Sequence, residues 1–396
     1  MRARLPSNLR TADPQEVTFV ELFFDLVFVF AITQLTALTA HDLTPDGILR
    51  SILLGWLIWW AWTQFTWTLN PADTTHPGVR VLTLVATGVA LVMAASVTRA
   101  FADDALWFAV PYVVVRALGL GLQVGVDRER ADANHTVVIV WTALSSIGLA
   151  LVLAGAVVDP SLRPWFWLLA IVADVVAAGW AGRGASWDLN PSHLAERHAL
   201  FVIIAIGESL IVAGTAVAND ERTLALASAA VVSIVVASLL WWTYFGWLKE
   251  ALEHRYAAAP PARLGPLARN AFSLAHFPLI GGIVGFAVAI EEIAAHPDEP
   301  ATAAVLASLG VGVALFVAFS ALSYRLLGGR ILLPRLLILP VMLGAIALVA
   351  PMEPCWPLVV VAAALLAIVL IEGAGPAEET AGPGHAITPG ASPASR

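Results

Sequence analysis

Six ionisable residues interrupt stretches that are otherwise apolar: Glu21, Asp25, Arg116, Asp174, Glu208 and His276. A charge in hydrocarbon costs on the order of 3 kcal/mol or more, so such groups by default belong to ion paths, proton relays or ion pairs. Glu21 and Asp25 are four apart and share a helix face, with Thr36 and Thr39 on the same stripe at about 100° per residue. Glu208, Thr215 and Asn219 form a second stripe. Both stripes should face the protein interior or an aqueous cavity. Four carboxylates therefore stand against one Arg and one His of variable charge. A buried carboxylate without a partner takes up a proton or recruits a cation, so this acid excess points to proton or cation handling. The structural alternative is that Arg116 pairs with one acid to orient helices, while Glu21 and Glu208 hydrogen-bond backbone. Counted from the expected helix ends, all six fall in the half of the bilayer nearer the N-terminus.

Other chemistries find less support. Cys355 is the single cysteine, which permits neither an internal disulfide nor a thiolate metal site. His193 and His198 are five apart, about 140° around a helix, and would not share a ligand face. Ser209 follows Glu208 directly, but no G-x-S-x-G elbow accompanies it. We therefore expect no enzyme activity, no metal and no cofactor. Asp188 and Glu196 read as solvated loop charges.

The elements that must hold these groups are membrane helices. Of 396 residues, 59% are hydrophobic and 13% charged, against about 25% charged in soluble domains. The net charge of −8 argues against a nucleic-acid partner. A helix needs about 20 apolar residues to cross the hydrocarbon core. Twelve runs qualify: 19–40, 47–69, 79–99, 104–125, 136–157, 163–182, 198–218, 223–247, 271–290, 301–322, 331–350 and 355–372. Breakers such as Asn70-Pro71, Asp159-Pro160, Asn190-Pro191 and Pro260-Pro261 separate them. Residues 1–18 form a polar N-terminal segment, and residues 373–396 a Gly/Pro/Ala/Ser/Thr-rich tail expected to be disordered.

Arg and Lys test the count. Arg50, Arg99, Arg163 and Arg222 fall in one set of alternate loops and Arg116 lies within a run. The remaining sixteen of the 21 basic residues lie on the side of both termini. The positive-inside rule then puts both termini in the cytoplasm. The opposite loops are acidic, with Asp103-Asp104, Asp220-Glu221, Glu291-Glu292 and Asp298-Glu299.

The runs also suggest a repeat. Trp59-Trp60-Ala61-Trp62 in the second resembles Trp241-Trp242-Thr243-Tyr244 in the eighth, and Phe28 to Ile32 in the first resembles Phe201 to Ile206 in the seventh. Two parallel six-helix halves, 19–190 and 191–372, follow from that spacing. The Trp doublets read first as interface anchors, and Gly121-x-x-x-Gly125 and Gly281-x-x-x-Gly285 as close helix packing.

The run Val17-Thr18-Phe19-Val20-Glu21-Leu22-Phe23-Phe24-Asp25-Leu26-Val27-Phe28-Val29 resembles the signature of the bacterial low temperature requirement A (LtrA) family. Glu196-Arg197-His198 with Gly207-Glu208-Ser209, Tyr112-x-x-x-Arg116, and His276-Phe277-Pro278-Leu279 before Gly281-Gly282 are similar to its further segments. The resemblance spans roughly residues 17–350. It implies a multi-pass bacterial membrane protein linked by name to growth in the cold, and no settled activity.

The expectation is thus an all-α polytopic bundle of about twelve spans in the cytoplasmic membrane. Its expected partners are the lipid bilayer and a small ion or solute. Asp25 and Glu208 would exchange or bind the ion, Arg116 would be the counter-charge, and Glu21, Asp174 and His276 would support them. A non-transporting scaffold or a lipid- or cold-stress component is the alternative.

Overall fold

The computed structural model describes residues 8–11, 15–102, 104–130, 135–181, 187–219 and 223–373. The chain is helical, in order α1 (Phe19–His41), α2 (Pro45–Leu69), α3 (Pro77–Ala95), α4 (Ala105–Arg128), α5 (Thr136–Val157), α6 (Arg163–Ala181), α7 (Pro191–Asn219) and α8 (Leu224–Phe245). Two short helices follow, α9 (Leu248–Ala257) and α10 (Pro261–Leu267), and then a π-helical turn over Ala268–Leu274. The last four are α11 (His276–Ala295), α12 (Ala303–Leu326), α13 (Leu333–Val349) and α14 (Cys355–Gly373). The twelve long helices coincide with the twelve apolar runs. The expected tail lies outside the described residues beyond Gly373.

The helices start where the sequence supplies caps. Thr44, Thr223 and Thr302 each accept a hydrogen bond from the N–H three residues on, at Gly47, Leu226 and Val305. Pro45, Pro77, Pro191 and Pro261 occupy first helical positions, where the missing N–H has no intrahelical role. Asn190 caps α7, accepting from His193 N–H at 3.4 Å. This cap corrects one expected boundary: α7 begins at Pro191 rather than at residue 198, so the polar run before residue 198 is helix rather than loop.

Ten of the long helices, among the described residues, are long and apolar enough to cross a membrane. The exceptions have physical reasons. Helix α13 has only 17 residues. Helix α2 carries Trp, Thr and Gln side chains, and it runs through the middle of the bundle, where Leu54, Leu57, Trp62, Phe65 and Leu69 are fully buried. Around it, large apolar side chains such as Phe19, Val81, Trp165, Val231 and Leu348 face outward. An apolar outer surface on this scale suits lipid, not water. The protein is a polytopic membrane protein.

Tight crossings hold the second half. A Cβ on Gly282 would lie 2.4 Å from the Gly312 carbonyl oxygen, and one on Gly312 would lie 2.8 Å from that of Gly282. Ser308 of α12 donates to the Gly285 carbonyl at 2.9 Å. The close approach therefore uses Gly282 and Gly285. Gly281 and Gly121 face open space, which corrects the expectation that they pack.

Candidate functional site

The buried polar centre forms where α1, α2 and α7 meet. Glu21 sits in the first turn of α1, and its Oε2 accepts from the Thr18 N–H and hydroxyl, both at 2.9 Å. Its other oxygen, Oε1, accepts from Arg197 Nη1 of α7 at 2.8 Å and lies 3.0 Å from His193 Nε2. One turn further, Asp25 Oδ1 accepts from Arg197 Nη2 and from Trp62 Nε1 of α2, both at 2.7 Å. Arg197 thus forks between two carboxylates, with its guanidinium carbon 5.8 Å from the Trp62 ring centre. Glu21, Asp25, Trp62, Arg197 and His198 are all fully buried. Asp25 Oδ2 has no hydrogen-bond partner.

Asn70 and Asn190 tie this centre to the loops. Asn70, which follows α2, contacts His193 Nδ1 at 3.1 Å, and its amide exchanges hydrogen bonds with Asn190 N–H and C=O at 2.7 and 3.0 Å. Asn190 also donates to the Gln15 carbonyl. The N-terminal segment docks alongside: Arg10 Nε donates to Asp188 at 2.8 Å, and Leu9 and Arg10 N–H both donate to Glu129 at 3.0 Å. Asp188 is solvent-exposed, as expected, and also an ion-pair partner of the N-terminal segment.

The remaining expected site residues occupy three other places. Arg116 of α4 grips Asp174 of α6 with two hydrogen bonds of 3.1 and 2.9 Å and donates a third to Tyr112 Oη at 2.8 Å. His276 meets Tyr244 Oη at 2.8 Å through Nε2 and the Ala271 carbonyl at 2.9 Å through Nδ1. Its ring centre lies 5.5 Å from that of His198. Glu208 of α7 lies apart from the other five: Oε2 accepts from the Thr33 hydroxyl of α1 at 2.7 Å, buried Oε1 has no hydrogen-bond partner, and the Glu291 carboxylate of α11 is near enough to feel its charge. Thr33 is eight residues past Asp25, about 12 Å further along α1. That puts Glu208 beyond the middle of α1, not at the depth of Asp25. The early start of α7 accounts for the difference.

The six residues are therefore not one cluster, and Arg116 neutralises Asp174, not Asp25. The cation facing Glu21 and Asp25 is Arg197, which reads in the sequence as a loop charge. A usable signal existed: His193 and Arg197 are four apart, as are Glu21 and Asp25, so each helix presents a charged or ionisable pair of opposite sign at matching spacing. Trp59, Trp60 and Trp62 are also core residues and not interface anchors, because α2 is central; Trp241 and Trp242 on α8 remain at the surface. A fifth buried group was not anticipated. Arg335 of α13 binds Glu372 of α14 at 2.7 and 2.8 Å, the Ser320 hydroxyl at 2.8 Å and the Thr243 carbonyl at 2.7 Å. Among the described residues, no group of three or more His, Cys, Asp and Glu side chains could hold a metal ion.

Residues 16–370 match the family described as bacterial low temperature requirement A protein (LtrA). An uncharacterized protein of Rhizobium meliloti (strain 1021) is 31% identical over 317 residues, which cover 77% of this chain and 76% of that protein. No solved structure matches the chain.

Proposed function

Because the chain belongs to the bacterial LtrA family and is a polytopic helical membrane protein, we propose that it moves a small ion or solute along the seam between α1 and α7. Asp25 and Glu208 are the exchanging carboxylates of this reading. Arg197 takes the counter-charge role expected of Arg116, with Glu21 and His193 steadying it. Arg116 with Asp174, and His276 with Tyr244, hold neighbouring helices. The observation that carries the reading is Glu208, buried on a spanning helix with one hydroxyl partner, no ion-pair cation among the described residues and one oxygen without a hydrogen bond. A carboxylate so arranged must take up a proton or a cation. Asp25 offers a second free oxygen on the same seam.

In this reading the protein is a carrier and not an enzyme. It sits in the bacterial cytoplasmic membrane with both termini inside, as the bias of basic residues favours. The halves 19–190 and 191–372 are parallel repeats whose first helices, α1 and α7, meet at the charged centre. Proteoliposomes test the proposal under imposed H⁺, K⁺ and Na⁺ gradients, with wild type compared against Asp25→Asn and Glu208→Gln. Flux that either substitution abolishes supports it. Flux unchanged in both variants removes these residues from the path, and flat traces from folded wild type remove the ion-carrier reading.

A second reading, a lipid- or cold-responsive component that transports nothing, is favoured by the closed Arg116–Asp174 lock and by surface Trp241 and Trp242. It requires a melting temperature that changes with lipid composition.

A further inference from the structure

A cavity opens on the N-terminal side of the bundle, between α2, α4, α5, α6 and the segment from α10 through the π turn. Its empty space is about 490 Å³ with the open mouth included, of which about 40 Å³ can hold the centres of water-sized groups. That is roughly three times what one water needs. Trp60, Trp67, Trp141 and Trp187 form much of its wall. They pair at steep angles, Trp67 with Trp187 at 86° and Trp60 with Trp141 at 53°, so faces and edges both line the space. Gly265 permits this arrangement, since a Cβ there would lie 2.5 Å from the Trp187 ring.

The wall is mostly apolar, but five of its residues each carry a buried polar atom left unsatisfied. Trp60 Nε1, Trp141 Nε1, Thr63 Oγ1, Gln64 Oε1 and Gln123 Oε1 are buried without hydrogen-bond partners, and all five residues line the cavity. Each is at least nine-tenths buried. Orphaned buried polar atoms are rare because each costs about 1–3 kcal/mol. Seventeen such atoms occur among the described residues, and five of them gather around this one cavity. At the half-exposed mouth, Arg269 donates to the Asn270 side chain and the Ala178 carbonyl, both neutral, and among the described residues its charge has no carboxylate partner.

The chemistry narrows the guest. Water could meet the polar atoms but not the four indoles, which favour an apolar or cationic body. The Gln64 and Gln123 oxygens accept from an ammonium or draw its charge. The indole N–H groups and Arg269 serve an anionic group and repel a bare cation. We infer that this cavity binds a small zwitterion that joins an ammonium, methylated or free, to a carboxylate or phosphate. A free solute and a lipid headgroup share that chemistry.

The test needs no ion gradient, so its outcome is separate from that of the transport proposal. Purified full-length protein in nanodiscs of phosphatidylglycerol is titrated by calorimetry with glycine betaine, phosphocholine, choline and acetate. We expect at least one of the two zwitterions to bind at least tenfold more tightly than choline or acetate. Gln123→Leu and Arg269→Gln should each weaken binding about tenfold, and Trp141→Phe, which keeps an aromatic wall but lacks the N–H, several-fold. Competition in nanodiscs containing phosphatidylcholine identifies a headgroup as the guest, and undiminished binding there identifies a free solute. No binding of either zwitterion to wild type would overturn the inference. So would choline binding as tightly as either zwitterion, with Arg269→Gln leaving its affinity unchanged.

Discussion

Replacing Arg197 with Met should damage the fold more than removing the whole charged centre. The substitution keeps much of the side chain's volume but strands Glu21 and Asp25 in a fully buried site. Two charge-assisted hydrogen bonds are lost, at 2.8 and 2.7 Å. At about 1.5–3 kcal/mol each, the loss is about 3–6 kcal/mol. The general cost of breaking a buried pair by deleting one partner, about 3–5 kcal/mol, agrees. Against a typical stability of about 5–15 kcal/mol, that is a large share. Glu21 keeps its Thr18 contacts, so most of the penalty falls on Asp25, which retains only Trp62. The triple variant Glu21→Gln, Asp25→Asn, Arg197→Met buries no charge in the centre and should recover most of the loss. Unfolding by increasing SDS in mixed micelles reads the difference. The reasoning fails if Arg197→Met unfolds within about 1 kcal/mol of wild type, or if the triple variant is no more stable than the single one.

Packing makes a paired prediction. Gly282→Ala should destabilise by about 1–3 kcal/mol, because its Cβ meets the α12 backbone, whereas Gly281→Ala beside it should cost nothing measurable; the same SDS titration compares them. A loop carboxylate gives a pH dependence. Ser161 N–H and hydroxyl both donate to Asp159, between α5 and α6, and hold its carboxyl below the usual range. A lowered folded pKa contributes stability above the unfolded value of about 3.9 and loses it as pH falls through the folded one. Asp159→Ala should therefore lower the melting temperature slightly at neutral pH and leave it unchanged in acid.

The twelve helices were legible because lipid imposes a length and a composition that few other folds share, and short loops with Pro and Thr mark the starts. Individual charges were harder to place. Asp25 and Glu208 stand out as acids among Phe, Val and Ile. Arg197 does not, because it follows Asn190-Pro191 in a polar stretch with His193 and Glu196, and basic residues at such junctions usually face water. Only the cap at Asn190 turns that stretch into the first two turns of a buried helix. The Trp cluster on α2 misled in the opposite way. Indoles favour the interface on a helix that touches lipid, and nothing local in Trp59 to Trp62 reveals that α2 is enclosed from Leu53 onward. Arg335 and Glu372 lie 37 residues apart, on two helices whose pairing no periodicity signals.

The fork of Arg197 also sets an order of events during synthesis. Its two carboxylate partners precede it by 176 and 172 residues, so five further spans are made before the guanidinium exists. At bacterial elongation rates of about 5–20 residues per second, the gap is about 9–35 s. For that time α1 carries two acids with no cation to meet them, within one to two turns of its entry point. The charged centre of the first helix therefore cannot be completed until the seventh has been made.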